Sequence, residues 1–489
     1  LGGGALHTSV SPEAVALRPG RDAFDRWTEP RTLRIPLVAI IALCALGAAA
    51  TQVLPASVGY DPWAWLIWGR EILSGDLVTT GGPSWKPLPV IFTVPFSLAG
   101  SAAPDLWLAT LWAGTAAALI PAARLGARLA GVAGGVLAAT FLVISPWMWI
   151  SVGVGFSEGL TLLCVLGALD RMLTGRHGQA YALGVAACLL RAEAFPFLAA
   201  YALWLLVTDR RRLPWLAAGM LLLPLLWLVP EQIGSGNWFR AADRAQQPGP
   251  NSPAFASRPA FAVIRQTVDN LPAVMGLGLL LGCVAIAARV APRQALRPTT
   301  LLAAVAAVWL GVVALMAEAG FSGILRYVYV PLAIAHILSA AGIVWGVRLI
   351  AHRLGGVRAQ VALAVLAAVL VAGLVHGVAA PLRATARTMR YDHAVFGDLA
   401  PAVTRAGGAH RLKACGRTYA GYYSVPAVAW ALKAHLVDVG FRPRAPGVVL
   451  RARFPRLGPV VPPEGPIGRA TNRRVLATTE NWRVVAACG

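Results

Sequence analysis

Long apolar runs separated by short basic connections set the pattern of this chain. Runs long enough to span a bilayer predict helices near 34–55, 105–123, 132–151, 156–170, 178–190, 194–208, 213–230, 271–288, 299–317, 327–346 and 360–380. Arginines gather in alternate connections: Arg124/Arg128, Arg171/Arg176, Arg210-Arg211-Arg212, Arg289/Arg293/Arg297 and Arg348/Arg353/Arg358. Basic loops mark the cytoplasmic side of a membrane protein. Eleven helices that start inside leave the C-terminus outside. The polar segment 1–32 carries Arg18, Arg21, Arg26 and Arg31 before the first apolar run. That run reads as a signal anchor, with the N-terminal tail cytoplasmic.

Two connections on the opposite side are long. Loop 56–104 predicts a helix from Pro62, followed by a short apolar piece, Pro87 to Leu98, which reads as a juxtamembrane helix. Loop 231–270 contains the turn signals Gly234-Ser235-Gly236 and Pro248-Gly249-Pro250-Asn251 and reads as a mobile lid. After the last apolar run, at 392–489, the pattern changes. Leu412–Cys415, Gly447–Phe454 and a hairpin Arg474–Cys488 around Thr479-Glu480-Asn481 read as strands, and Pro426–His435 as a helix. The expected fold class is an all-α polytopic membrane protein with about eleven transmembrane helices over 33–380. A small α+β domain follows on the outer side of a bacterial plasma membrane. No internal repeat is visible, which argues against common transporter designs.

Composition agrees. Of 489 residues, 57% are hydrophobic and 13% charged, where soluble proteins have about 25% charged. The 17 tryptophans are expected in aromatic belts at the membrane interfaces. The net charge of +22 resides largely in the short loops, so no nucleic-acid partner is implied; the bilayer is the partner. The abundance of Ala, Gly, Arg and Pro suggests a GC-rich bacterium. Of six cysteines, Cys44, Cys164, Cys188 and Cys283 lie in apolar runs and read as inert small hydrophobes. Cys415 and Cys488 bracket the tail, as a disulfide would outside the reducing cytosol. No Cys or His pair has metal-site spacing, so neither a metal nor a cofactor is expected.

The candidate chemistry lies on the outer side. Asp61 in Tyr60-Asp61-Pro62-Trp63 reads as a general base or as a plain N-cap before proline. Lys86 in Ser84-Trp85-Lys86-Pro87-Leu88 reads as a phosphate contact or as a snorkelling interfacial lysine. Glu158 opens a helix, where a carboxylate also suits the helix dipole, with Ser157 as its cap. Arg191 and Glu193 interrupt about thirty apolar residues, as functional groups or as a structural ion pair. Arg326-Tyr327 opens another helix, as a phosphate-binding arginine or as an interface anchor. The predicted topology maps all of them to one side, and that convergence weighs more than any single residue.

The order of these motifs resembles the GT-C class of lipid-linked-sugar glycosyltransferases, closest to the protein O-mannosyltransferase and lipid A aminoarabinose transferase group. There the pattern is Asp-Glu, a helix ending in Gly-Asp, then Lys-Pro-Pro-Leu. Here it is Asp61-Pro62, Leu73-Ser74-Gly75-Asp76-Leu77 and Lys86-Pro87-Leu88-Pro89. The resemblance implies a catalytic base at Asp61, a polyprenyl-phosphate contact at Lys86, and an acid at the start of a helix at Glu158. Pro62 stands for the second acid, Leu88 for the second proline, and Trp85 for the acid before the lysine, so the family's metal contact is missing there. The tail is similar to the extracytoplasmic modules of actinobacterial arabinosyl- and mannosyltransferases.

The leading expectation is an inverting glycosyltransferase. It would move mannose or arabinose from a polyprenyl-phosphate donor to a glycan, lipid or protein acceptor. Asp61 would be the base, and Lys86, Glu158, Arg191, Glu193, Arg326 and Tyr327 the substrate contacts. The alternatives are a transporter or flippase for polyprenyl-linked glycans, with charges near the bilayer midplane, and an assembly protein with a sensing domain.

Overall fold

A computed structural model describes residues 27–354, 356–452 and 464–489. Arg18, Arg21 and Arg26 of the N-terminal tail, and Phe454 at the end of one expected strand, lie outside these residues. Each predicted apolar run is helical. In chain order the helices are Leu37–Ala50, Ala103–Val143, Pro146–Gly153, Glu158–Leu173, His177–Cys188, Phe195–Thr208, Leu213–Ser235, Ala273–Ala287, Arg293–Glu318, Tyr329–Arg353 and Gly356–Gly397. Among the described residues five helical stretches are long and apolar enough to cross a membrane, or six if the bent pair Pro259–Asp269 and Ala273–Ala287 counts as one. The others are helical but short: His177–Cys188 has 12 residues and Glu158–Leu173 has 16. At 1.5 Å per residue they rise about 18–24 Å, against a hydrocarbon core of about 30 Å.

Helix Ala103–Val143 holds the run 105–123 and the first part of 132–151, whose remainder is the short helix Pro146–Gly153. The longer helix reverses at Ala130 (φ −146°, ψ 36°) and Gly131 (φ 65°, ψ −167°). The two arms then pack back to back, with Gly126 against Gly134 and Ala138, and Gly135 against Ala123. Only glycine adopts the Gly131 conformation readily. A Cβ there would also sit 2.5 Å from the Trp27 carbonyl oxygen.

Several tryptophans expected in interfacial belts are core residues instead. Trp68, Trp107, Trp309 and Trp345 are fully buried. Their indole N–H groups donate to the carbonyls of Val78 (3.2 Å), Gly155 (2.8 Å), Tyr327 (2.9 Å) and Leu129 (3.2 Å). An indole is a large apolar body with one donor, so it can fill the core and hold a chain break at once. Cys164 and Cys188 are buried, whereas Cys283 faces outward and Cys44 is half-buried.

The tail forms a five-stranded sheet: β1 Arg417–Ala420, β2 Val439–Gly440, β3 Gly447–Ala452, β4 Arg474–Thr478 and β5 Trp482–Ala487, in the order β2-β1-β3-β5-β4. β1 runs parallel to β2 and β3, while β5 runs antiparallel to β3 and β4. The hairpin around Thr479-Glu480-Asn481 is present. The expected strand Leu412–Cys415 is not: those residues end the helix Gly408–Ala414, and β1 starts only after Gly416. Cys415 and Cys488 are joined by a disulfide across 73 residues, closing a loop whose constraint stabilises the folded tail.

The tail docks on the helix Tyr60–Ser74. Trp430 meets Trp63 (ring centroids 5.7 Å apart), Arg70 donates to the Ala434 carbonyl (2.7 Å), and His435 contacts Glu71 (2.7 Å). The expected mobile lid is tied down. Arg240, from its short helix Arg240–Ala245, donates to the carbonyls of Pro83 (2.6 Å), Gly81 (2.7 Å) and Gly82 (3.2 Å). Arg244 donates to Gly82 (3.1 Å) and to the Tyr422 hydroxyl (2.6 Å). Guanidinium groups present several donors in fixed directions, so two of them bind the lid, the turn before Lys86 and the tail together.

Replacing Gly131 with alanine is expected to cost about 1–3 kcal/mol, through backbone strain plus the clash with Trp27. Thermal unfolding of the purified protein checks this; an unchanged midpoint for Gly131→Ala would show that the reversal tolerates a side chain.

Candidate active site

Asp61 owes its position to a pinned strand of backbone. The amides of Ser57 and Gly59 donate to the carbonyls of Gly153 and Val154, each at 2.8 Å. The helix then starts at Tyr60 with Gly59 as N-cap. Asp61 therefore lies in the first turn rather than at the cap, so the plain capping role is excluded. The residue is 6% exposed, and its Oδ2 meets Nη2 of Arg326 at 2.7 Å.

Arg326 lies in the 3₁₀ turn Leu325–Val328 that precedes Tyr329–Arg353. Arg191 occupies an extended break (φ −146°, ψ 122°) after the helix His177–Cys188. Its guanidinium binds Glu158, donates to the Arg326 carbonyl (3.3 Å), and lies 4.5 Å over the Tyr327 ring. Glu193 Oε1 is 3.8 Å from Arg191 Nη1. Glu158 sits in the first turn of its helix and accepts from Ser151 (3.2 Å). Ser157 holds the N-cap position but makes no capping bond, against expectation.

Lys86 is extended (φ −139°, ψ 114°) directly before the helix Pro87–Phe96. The amide of Leu88 donates to the Leu189 carbonyl (3.2 Å), which fixes this start beside Arg191. The Lys86 Nζ is buried with no hydrogen-bond partner, 5.4 Å from the Trp65 ring. An orphaned buried ammonium is costly and marks a place for an anion. A snorkelling lysine would send its ammonium to water, so that reading is excluded.

The structure thus brings together every residue singled out in the sequence: Asp61, Lys86, Glu158, Arg191, Glu193, Arg326 and Tyr327. Three cations alternate with three carboxylates. Burial raises the Asp61 carboxyl, but the Arg326 guanidinium and then Lys86 outweigh it and hold the group below the usual carboxylate range. Burial, then the neighbouring Arg191 and Arg326, push the Lys86 ammonium down to about 7. A cavity of about 250 Å³ adjoins the cluster, lined by Lys86, Arg191, Glu193 and Tyr327 together with apolar side chains that include Trp227 and Phe321. No group of three metal-ligating side chains lies among the described residues.

Sequence reasoning missed the support. Thr79 Oγ1 donates to Glu231 (2.8 Å), which Arg240 approaches at 3.5 Å. Glu231 is fully buried, and the signal was an acid at the end of an apolar run. Tyr60 stacks on Tyr422 of the tail (5.4 Å, 13°); nothing in the local sequence announced that pair.

Arg191→Ala would leave the Glu158 and Glu193 carboxylates buried without their cation. Breaking such a pair costs about 3–5 kcal/mol. The expected result is a large drop in thermal midpoint, partly recovered in Arg191→Ala with Glu158→Gln. A midpoint insensitive to Arg191→Ala would show that the pairing contributes little.

No family model matches the chain, and no curated protein does. Solved structures do. ArnT from Cupriavidus metallidurans bound to undecaprenyl phosphate matches with a TM-score of 0.54 and 15% identity. The same protein in the apo state matches with a TM-score of 0.55 and 16% identity. Each match covers 92% of this chain and 97% of the other. Identities this low carry the fold alone: the chain has the membrane architecture of these ArnT structures.

Proposed function

We propose that this chain is a membrane glycosyltransferase that moves a sugar from a polyprenyl-phosphate donor to an acceptor hydroxyl. The carrying observation is the orphaned, buried Lys86 ammonium near the Asp61–Arg326 pair, at the wall of an apolar cavity that Lys86 lines. The ammonium and guanidinium groups suit a phosphate, and the apolar walls suit the first isoprene units. The ArnT structure of the same fold is bound to undecaprenyl phosphate, which supports the donor class.

In the proposed reaction the acceptor oxygen attacks the anomeric carbon and forms the new glycosidic bond with inversion. The bond from that carbon to the phosphate oxygen breaks, and its electron pair leaves with the polyprenyl phosphate. The hydroxyl proton passes to Asp61. Lys86, Arg191 and Arg326 stabilise the charge that develops on the leaving group, which is usually the largest catalytic contribution. Glu158 keeps Arg191 in place, and Tyr327 packs beneath its guanidinium. Mannose or arabinose is the proposed sugar class, and a glycan, lipid or protein on the outer face of a bacterial plasma membrane the acceptor. The N-terminus would be cytoplasmic, with 392–489 outside and close to the acceptor. A flippase would move charge across the bilayer, whereas here six ionisable groups form one fixed cluster.

Membranes containing the chain, incubated with labelled polyprenyl-phosphate mannose or arabinose, test the proposal. Asp61→Asn should lower transfer at least about 100-fold; the amide oxygen can still accept from Arg326, and thermal unfolding of the variant separates this loss from that of the buried ion pair. Near wild-type turnover in this variant would remove Asp61 as the base.

Lys86 gives a pH signature. Its free ammonium titrates at about 7, and a bound phosphate raises that value. Donor binding then takes up a proton. Affinity is full below pH 7 and falls as pH rises above it, by at most about tenfold per unit. Donor titrations between pH 6 and 9 check this against Lys86→Arg, which should flatten the curve. Identical profiles for both proteins would separate Lys86 from the phosphate.

A further inference from the structure

One carboxylate in the cavity has no role in the chemistry above. Glu193 is 3% exposed. Its Oε1 is buried without a hydrogen-bond partner, and its nearest cation, Arg191 Nη1 at 3.8 Å, is beyond hydrogen-bond reach. Glu193 and Lys86 line the same cavity of about 250 Å³, and at its wall, shielded from the open space, lie two unsatisfied polar atoms of opposite character: an ammonium that needs an acceptor and a carboxylate oxygen that needs a donor.

Building on the donor reading, we infer that Glu193 reads the sugar of the polyprenyl-phosphate donor by accepting a hydrogen bond from a ring hydroxyl. The argument is one of chemical complementarity. The phosphate is an anion and is repelled by a carboxylate. The isoprenoid chain has no donor to offer. Ring hydroxyls are the donor groups of such a lipid. Asp61 is not among the cavity-lining residues, so the acceptor hydroxyl it would activate is not the natural partner of Glu193. Glu193 is therefore a specificity residue: Lys86 and Arg191 recognise any polyprenyl phosphate, and Glu193 distinguishes the sugar-bearing form.

The test measures binding to the full chain in lipid nanodiscs with three probes: undecaprenyl phosphate, undecaprenyl-phosphate mannose and undecaprenyl-phosphate arabinose. Wild type should bind at least one sugar-bearing lipid more tightly than bare undecaprenyl phosphate. Glu193→Ala should remove that margin, a loss of about tenfold or more for a hydrogen bond to a charged group. Its affinity for the bare lipid should hold or rise, because a like charge is gone. Glu193→Gln should keep part of the margin, since the amide oxygen still accepts from a hydroxyl, and it guards against a misfolded alanine variant. The inference is overturned if Glu193→Ala keeps the full margin, if it weakens bare and sugar-bearing lipids equally, or if wild type shows no margin for either sugar. Failure of bare undecaprenyl phosphate to bind wild type would overturn the donor reading itself, and this inference with it.

Discussion

Six ionisable side chains share one buried site, and the rest of the structure is arranged to make that tolerable. Removing a charge from water costs several kcal/mol even after relaxation, and only close pairing with further hydrogen bonds offsets it. Arg326 answers Asp61 at 2.7 Å, and Arg191 answers Glu158 while reaching the Arg326 carbonyl at 3.3 Å. None of these groups sits within a helix interior. Asp61 and Glu158 lie in first turns, Lys86 directly precedes a helix, Arg191 occupies an extended break, and Glu193 and Arg326 lie in 3₁₀ turns. A bundle whose helices start at one level delivers such positions to a common place, where backbone donors are unspent and side chains are short of water.

The layer above this cluster is built on the helix Tyr60–Ser74. One end of it carries Asp61. The other carries Arg70 and Glu71, which hold the Ala434 carbonyl and His435 of the tail. Tyr60 stacks on Tyr422, and the Tyr422 hydroxyl accepts from Arg244, whose partner Arg240 grips the Gly81–Pro83 turn leading to Lys86. The tail, the loop after Leu213–Ser235 and the two motif residues therefore form one connected assembly. Catalytic geometry tolerates displacements well under 1 Å, and an assembly tied at several points holds Asp61 and Lys86 in register better than two loops would alone.

Much of this was legible in the sequence because the bilayer simplifies the reading. Apolar length gave the helices, and arginine alternation put Asp61, Lys86, Glu158, Arg191, Glu193 and Arg326 on one side. That prediction required no contacts, only order along the chain. What was not legible depends on contacts. A turn between the runs 105–123 and 132–151 was expected, but not its form: the chain reverses within two residues, Ala130 and Gly131, and Gly-rich sequence alone does not distinguish so tight a reversal from a longer loop. The tryptophans were expected at interfaces, because composition does not reveal that Trp107 and Trp345 donate to carbonyls inside the bundle. Leu412, Lys413 and Ala414 are good helix formers and end the helix Gly408–Ala414, so the strand expected there ran against local propensity. Asp61 looked like a cap because Asp-Pro usually is one. The pinning of Ser57 and Gly59 to Gly153 and Val154 moves the helix start by two residues, to Tyr60 with Gly59 as N-cap.

The pairing of Asp61 with Arg326 bears directly on the proposed chemistry. A carboxylate held below its usual range by a guanidinium is a weak base and accepts a proton late. A donor phosphate placed among Lys86, Arg191 and Arg326 competes for the same guanidinium. As the glycosidic bond to phosphate breaks, negative charge grows on the phosphate oxygens and falls on the attacking hydroxyl. In that proposed reaction Arg326 would be drawn towards the leaving group and away from Asp61, whose basicity would rise as the acceptor proton becomes acidic. One arginine shared between base and leaving group would couple the two halves of the reaction. Uncharged neighbours could not do this, which gives a physical reason for a cluster of alternating charges where a simple phosphate clamp would need only cations.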